Sequence, residues 1–134
     1  MADKTLRIII ADTSLSRLVQ VEKSLNRLGY FRILPVLVHE ELTLLNKTLD
    51  VPFDVLIAST TFALETLTNS ISYGHMTEKF KHTLLYGPRE SQVALLSNAK
   101  SRAALAPVFT EIVNDQVIQA FMASADPCDI AFSA

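Results

Sequence analysis

The feature that most constrains the fold of this chain is an alternation between short apolar runs and longer segments with helical periodicity. The first run, residues 6–11, is rich in isoleucine and stops at the polar Asp12, a pattern typical of a buried parallel strand followed by a turn. From Ser14 to Leu28 apolar residues recur at helical spacing, with Ser14 suited to the N-cap and Gly29 following the last turn. The opening of the chain therefore predicts one strand followed by one helix.

The same alternation continues to residue 122 and predicts four more units of a strand and a helix. Pro35 cannot donate a hydrogen bond to a ladder, so we expect the second strand at an edge of the sheet. The further predicted strands cover residues 32–38, 51–58, 83–86 and a short stretch near 103–105, and the further helices cover 40–49, 61–73, 91–98 and 110–122. Parallel strands need helical crossovers, so the fold class is α/β, a doubly wound parallel five-stranded sheet. We expect one domain over residues 1–123 and a tail or linker over residues 124–134.

Charge and composition exclude several classes of function. Twelve basic and 14 acidic residues give a net charge of −2, and the basic residues are scattered singly, so we expect no direct contact with nucleic acid or a membrane surface. The single cysteine, Cys128, excludes an internal disulfide and lacks neighbours for a structural zinc site. With three glycines, the chain has no glycine-rich phosphate loop. The sequence lacks the apolar core of a signal peptide and any apolar run of membrane-spanning length, so we expect a cytoplasmic protein.

Three stretches of the chain carry a family resemblance. They are residues 8–17, IIIADTSLSR, residues 28–30, LGY, and residues 52–57, PFDVLI. Together with the order of the predicted elements, they resemble the receiver domains of two-component response regulators, the CheY-like family. The resemblance extends over residues 6 to about 122. It implies the flavodoxin-like (βα)5 fold with strand order 2-1-3-4-5.

The resemblance also implies a phosphorylation pocket in which most of the chemistry is missing. The acidic pair that helps to hold Mg²⁺ in the family falls on Asp12 and Thr13, and the aspartate that accepts phosphate falls on Ser59. The hydroxyl at the end of the fourth strand falls near Gly87, and the lysine before a proline falls on Ala106. Phosphoryl transfer to a receiver needs a carboxylate nucleophile and cations that stabilise the transferred group. We therefore expect no aspartyl phosphorylation, no metal or other cofactor, and no enzymatic activity.

Several polar positions leave alternatives open. Asp12 could bind a cation, or it could cap the first helix with Ser14 or remain a solvated carboxylate. Residues 59–61, Ser-Thr-Thr, precede a predicted helix, where they could hold a phosphate or cap the helix. Asp54 is expected at the amino end of its strand, away from the pocket, in a structural role.

With an inactive pocket, the function is expected to depend on surfaces. In receiver domains the fourth helix, fifth strand and fifth helix commonly contact partners, and the resemblance places Lys100, Arg102 and Ala103 on that surface. The small residues near Ala103 would let a partner approach closely, or they pack under the last helix.

Two hypotheses of function follow, and a third has little support. The first is a receiver-like signalling module of a two-component or phosphorelay system that binds a protein partner or a second copy without phosphorylation. The alternative is a sensor that binds a small ligand or anion at the carboxyl ends of the strands, near Asp12 and Ser59. A hydrolase is not favoured, because the sequence has neither a nucleophile elbow nor a glycine-rich turn.

Overall fold

The structure contains a five-stranded sheet with helices between its strands. The computed structural model describes residues 5–38, 40–41, 53–69, 80–98 and 108–126. The strands are β1 (Ile8–Ala11), β2 (Ile33–Val36), β3 (Phe53–Ser59), β4 (Phe80–Tyr86) and β5 (Val108–Thr110). The helices are α1 (Leu15–Arg27), α2 (Thr60–Asn69), α3 (Arg89–Asn98) and α4 (Asp115–Ala125). No helix in these ranges is long and apolar enough to cross a membrane.

All neighbouring strands pair in parallel, in the order β2-β1-β3-β4-β5. This is the flavodoxin-like arrangement, so the predicted fold class and strand order are confirmed. Pro35 lies in β2 at the edge of the sheet, paired with Ile10, as its missing amide proton predicts.

Two apolar cores lie on opposite faces of the sheet, because successive side chains along a strand point to opposite sides. The core beneath α1 and α4 includes the buried residues Ile8, Ile10, Val55, Ile57, Leu84, Leu18, Leu25, Phe121 and Met122. The core beneath α2 and α3 includes Ile9, Ala11, Leu56, Ala58, Leu85, Phe62, Ala63 and Leu95. Central strands covered on both faces must be apolar throughout, and all four residues of β1 are buried.

The first helix has the ends that the sequence predicts. The hydroxyl of Ser14 accepts a hydrogen bond from the Arg17 amide, so Ser14 is the N-cap. Gly29 follows the helix with a φ of 99°, in the left-handed region that glycine adopts without steric cost.

The last strand and the last helix lie later in the chain than predicted. The fifth strand is Val108–Thr110 and not residues 103–105, which lie outside the described residues. Helix α4 begins at Asp115 because the side chain of Asn114 accepts a hydrogen bond from the Val117 amide and caps it. The prediction of a helix from residue 110 was wrong, since Thr110 pairs with Tyr86 in the sheet.

Helix α4 also ends later than predicted, at Ala125. The next residue, Asp126, is fully buried, and its carboxylate accepts a hydrogen bond from the Tyr30 hydroxyl at 2.5 Å. Residues 124–126 therefore belong to the folded domain, and the predicted tail from residue 127 onwards lies outside the described residues.

The remaining boundaries differ from the predictions by a few residues. Strand β4 begins at Phe80, three residues before the predicted start, and α2 begins at Thr60. Of the predicted helix 40–49, Glu40 and Glu41 are helical and the rest lies outside the described residues.

Candidate functional site

The carboxyl ends of the central strands meet at one edge of the sheet. Ala11 at the end of β1 is in register with Ala58, so Asp12 and Ser59 follow at the same level. Ser59 pairs with Tyr86, the last residue of β4, and Tyr86 pairs with Thr110, the last residue of β5. Ligands of open α/β sheets bind at this edge, so it is the candidate site.

Asp12 lies at the centre of this edge and is fully buried. Its Oδ1 atom accepts hydrogen bonds from the Ser14 amide at 2.9 Å and from Arg17 Nη2 at 3.1 Å. Its Oδ2 atom accepts from Arg17 Nε at 2.8 Å and from the Tyr86 hydroxyl at 2.7 Å. A carboxylate has about four acceptor positions. These four hydrogen bonds therefore saturate Asp12.

The surroundings of Asp12 fix its charge. Burial alone would raise the pKa of Asp12, but the hydrogen bonds from Arg17, Tyr86 and Ser14, together with the positive charge of Arg17, outweigh burial and lower it. The hydrogen bond to Asp12 raises the pKa of Arg17. Burial, with the hydrogen bond to the Asp12 carboxylate, raises the pKa of the Tyr86 hydroxyl. At neutral pH the cluster is an ionised carboxylate, a guanidinium cation and a neutral phenol.

Asp12 therefore does not have the solvated environment that one interpretation of the sequence allowed. It supports the start of α1 by accepting from the Ser14 amide, which fits the capping interpretation. Binding a cation would require Asp12 to give up donors that it already holds.

Ser59 caps α2, which agrees with the capping interpretation of residues 59–61. The buried Ser59 Oγ atom accepts a hydrogen bond from the Phe62 amide at 3.0 Å. The position that the resemblance assigns to the acceptor aspartate thus carries a hydroxyl, and this hydroxyl stabilises the first turn of a helix.

Gly87 leaves space that a hydroxyl from a different element fills. A Cβ atom added at Gly87 would lie 1.9 Å from the Thr60 Oγ1 atom. Thr60 is fully buried, and its hydroxyl has no hydrogen-bond partner among the described residues. A larger residue at Gly87 would therefore overlap the side chain of Thr60 unless the structure shifts locally.

The other predicted site residues are placed as follows. Thr13 is exposed, beside the Asp12 cluster but not part of its hydrogen bonds. Ala106 lies outside the described residues and precedes β5 in the chain. That strand ends at Thr110, and Glu111 follows it. Lys100, Arg102 and Ala103, predicted to form the interaction surface, also lie outside the described residues.

Asp54 is a structural residue at the opposite edge, as predicted. It is the second residue of β3, accepts a hydrogen bond from the Arg7 amide at 2.9 Å and forms an ion pair with Lys81 at 3.5 Å. His82 lies in the amino-terminal half of β4, opposite Val55, and is therefore remote from Ser59 at the carboxyl end of β3. The other two histidines are outside the described residues.

Sequence reasoning did not include two members of the cluster, Arg17 and Tyr86. Arg17 had a local signal: it lies in the first turn of α1, and helical side chains tilt toward the N-terminus, here toward Asp12. Tyr86 had none, because 74 positions separate it from Asp12. Only the pairing of the strands brings its hydroxyl to the carboxylate.

A cleft of about 360 Å³ opens at this edge, above the Asp12 cluster. Its walls come from α1, the start of α2, the end of β4 and the segment after β5. The lining residues are Arg17, Gln20, Ser59, Thr61, Tyr86, Gly87, Pro88, Glu111, Ile112 and Val113.

The fold and the site define a doubly wound α/β protein with a saturated carboxylate beneath an open cleft. We compared the chain with models of protein families and with curated proteins, and neither comparison gave a match. The resemblance to receiver domains therefore depends on the residue stretches and on the fold.

Proposed function

We propose that this protein is a receiver-like signalling module that binds a protein partner or a second copy of itself without phosphorylation. The fold supports this proposal because it is the one that receiver domains share. A fold alone does not define an activity, so the proposal depends mainly on the geometry of the site.

The observation that carries the proposal is the saturation of Asp12. Phosphoryl transfer to a receiver requires a carboxylate nucleophile and a divalent cation on the transferred oxygens. Mg²⁺ usually takes one or two carboxylates, and here the single candidate accepts two hydrogen bonds from Arg17 and others from Tyr86 and Ser14. Arg17 thus supplies, within the chain, the positive charge that a metal would bring.

The rest of the proposal follows from the loss of that chemistry. A module without phosphoryl transfer has no catalytic step, no cofactor and no phosphorylation-dependent change of state. Such a module acts through a surface that does not change with phosphorylation. In a two-component or phosphorelay pathway of the cytoplasm, that surface contacts a protein.

The first experiment tests the pocket with acetyl phosphate or beryllofluoride in the presence of Mg²⁺. Intact mass and fluorine NMR should show no adduct on the wild-type protein. The variant Ser59→Asp restores a carboxylate at the acceptor position and keeps an oxygen that can cap α2. We expect this variant to stay unmodified as well, since Arg17 still holds Asp12. Phosphate on an aspartate of the wild-type protein contradicts the proposal, and phosphate on Ser59→Asp shows that saturation of Asp12 is not decisive.

The second experiment tests the interaction by sedimentation velocity. We expect self-association that acetyl phosphate and Mg²⁺ leave unchanged and that the double charge reversal Lys100→Glu and Arg102→Glu weakens through lost electrostatic complementarity. The matched control reverses the exposed Lys23 and Arg32, giving the same net charge, and should associate like the wild type. Association that depends on acetyl phosphate contradicts the proposal, and a monomer at every concentration excludes a second copy as the partner.

A further inference from the structure

The cleft above Asp12 has the size and position of a ligand site. Its volume of about 360 Å³ falls within the range of small-molecule sites, roughly 300–1,000 Å³. Each segment that follows β1, β3, β4 or β5 at this edge belongs to the described residues. The walls of the cleft are therefore defined by four separate parts of the chain.

The charges around the cleft argue against simple ions. Asp12 compensates the charge of Arg17 at 2.8 Å, so the remaining charge of the lining belongs to Glu111. A negative carboxylate repels an inorganic anion. A divalent cation would find one available carboxylate in the cleft, the exposed Glu111, because Asp12 already accepts its full set of hydrogen bonds. One solvated carboxylate is a weak site for such a cation.

The polar groups of the lining suit a molecule that carries both charges. The bonds to Asp12 use Arg17 Nε and one proton of Nη2, while 49% of the Arg17 side chain is exposed. Its outer N–H groups can therefore donate to a carboxylate. The exposed Thr61 adds a hydroxyl donor. The carboxylate of Glu111 can accept from an ammonium group.

Arg17 is also held in place before any ligand arrives. Its two hydrogen bonds to the buried Asp12 fix the plane of the guanidinium group, so ordering this side chain on binding costs little. Ile112, of which 66% is exposed, Val113 and Pro88 add an apolar part to the lining.

We infer that this cleft binds a free amino acid with an apolar side chain, its carboxylate directed to Arg17 and Thr61 and its ammonium group to Glu111. The inference does not depend on the proposed loss of phosphorylation. It adds the binding of a small molecule to the protein contacts that the proposed function assigns to this domain.

The test is an amide NMR titration of the full chain with L-leucine and with L-phenylalanine. We expect saturable shifts at Thr61, Gly87 and Ile112 with at least one of them. The same amino acid with its amine acetylated, the same amino acid as its amide, and inorganic phosphate should each bind much more weakly or not at all, because each lacks one of the two charged groups or the apolar part.

Two matched variants identify the site. Glu111→Gln should weaken binding about fivefold, the loss expected for one solvated charge pair. Glu90→Gln, an exposed acid at the start of α3 that is not part of the lining, should bind like the wild type. Absence of saturable shifts with both amino acids overturns the inference. So does equal binding of phosphate or of the two blocked derivatives, and so does an unchanged affinity in Glu111→Gln. None of these outcomes affects the test with acetyl phosphate.

Discussion

Arg17 provides the sharpest test of the energetics of the site. The substitution Arg17→Met keeps most of the hydrocarbon chain and removes both hydrogen bonds from Arg17 to Asp12. A hydrogen bond to a charged group is worth about 1.5–3 kcal/mol, and breaking a buried ion pair on one side costs about 3–5 kcal/mol. Because 49% of the Arg17 side chain is exposed, water can replace part of what is lost. We therefore expect the free energy of unfolding to fall by about 3 kcal/mol.

The same helix offers a matched control in Arg27→Met. Arg27 forms an ion pair with Asp115 at 2.6 Å, but 59% and 63% of the two side chains are exposed, and such pairs contribute about 0.2–1 kcal/mol. Urea denaturation of both variants gives the comparison. If Arg17→Met loses no more stability than Arg27→Met, Asp12 does not depend on Arg17 and the reasoning about the saturated carboxylate fails.

The pH dependence of the free energy of unfolding, compared between the wild type and Arg17→Met, provides a second measurement on this variant. In the wild type the pKa of Asp12 is lowered, so its contribution is present above the unfolded value of about 3.9 and is lost as the pH falls through the folded pKa. Without Arg17, we expect burial to raise the pKa of Asp12 above that value. The folded variant then binds the proton more tightly than the unfolded chain, so its deficit should shrink as the pH falls from neutrality toward the unfolded value of about 3.9. A deficit that is constant over this interval contradicts the assignment.

Two further predictions concern the packing around the site and at the end of the domain. Gly87→Ala should destabilise the fold by about 1–3 kcal/mol, because its Cβ would overlap the Thr60 hydroxyl. Thr60→Ala removes a buried hydroxyl without a described partner, so the double variant should recover part of that loss. A double-mutant cycle measured by chemical denaturation tests this, and strict additivity of the two changes would show that the two residues do not interact. Tyr30→Phe should cost about 1–3 kcal/mol, since it removes a donor from the buried Asp126, and equal melting temperatures of this variant and the wild type would mean that Asp126 does not anchor the end of α4.

Much of the fold could be predicted because its signals are local. The isoleucines of β1 are buried on both faces of the sheet, and a strand buried on both faces needs an uninterrupted apolar run. Pro35 excludes a central strand through its own missing donor. Ser14 and Gly29 mark the ends of α1 through hydrogen bonding and backbone freedom that each residue has by itself.

The end of the chain was harder to predict because its local signals compete. Val108–Thr110 is a three-residue strand that is stabilised by pairing with β4, and a run this short has no periodicity to detect. Ile112 and Val113 continue the apolar spacing of α4 backwards, yet Asn114 caps the helix after them. Propensity and spacing could not decide between these boundaries, whereas the pairing of Thr110 with Tyr86 does.

The sequence by itself determined the alternation of strands and helices over most of the described residues. It also determined the hydroxyl at Ser59, the position that the resemblance to receivers assigns to the acceptor aspartate, since both follow from residue types along the chain. The tertiary structure alone decided the state of Asp12. Its charge, its burial and its four hydrogen bonds depend on the Tyr86 hydroxyl from a strand 74 positions away and on the guanidinium of Arg17 in α1. The sequence does not show whether water, a metal or a neighbouring side chain stabilises the charge of an acidic residue that follows a strand. The groups that set its electrostatic environment reach it only when the sheet forms.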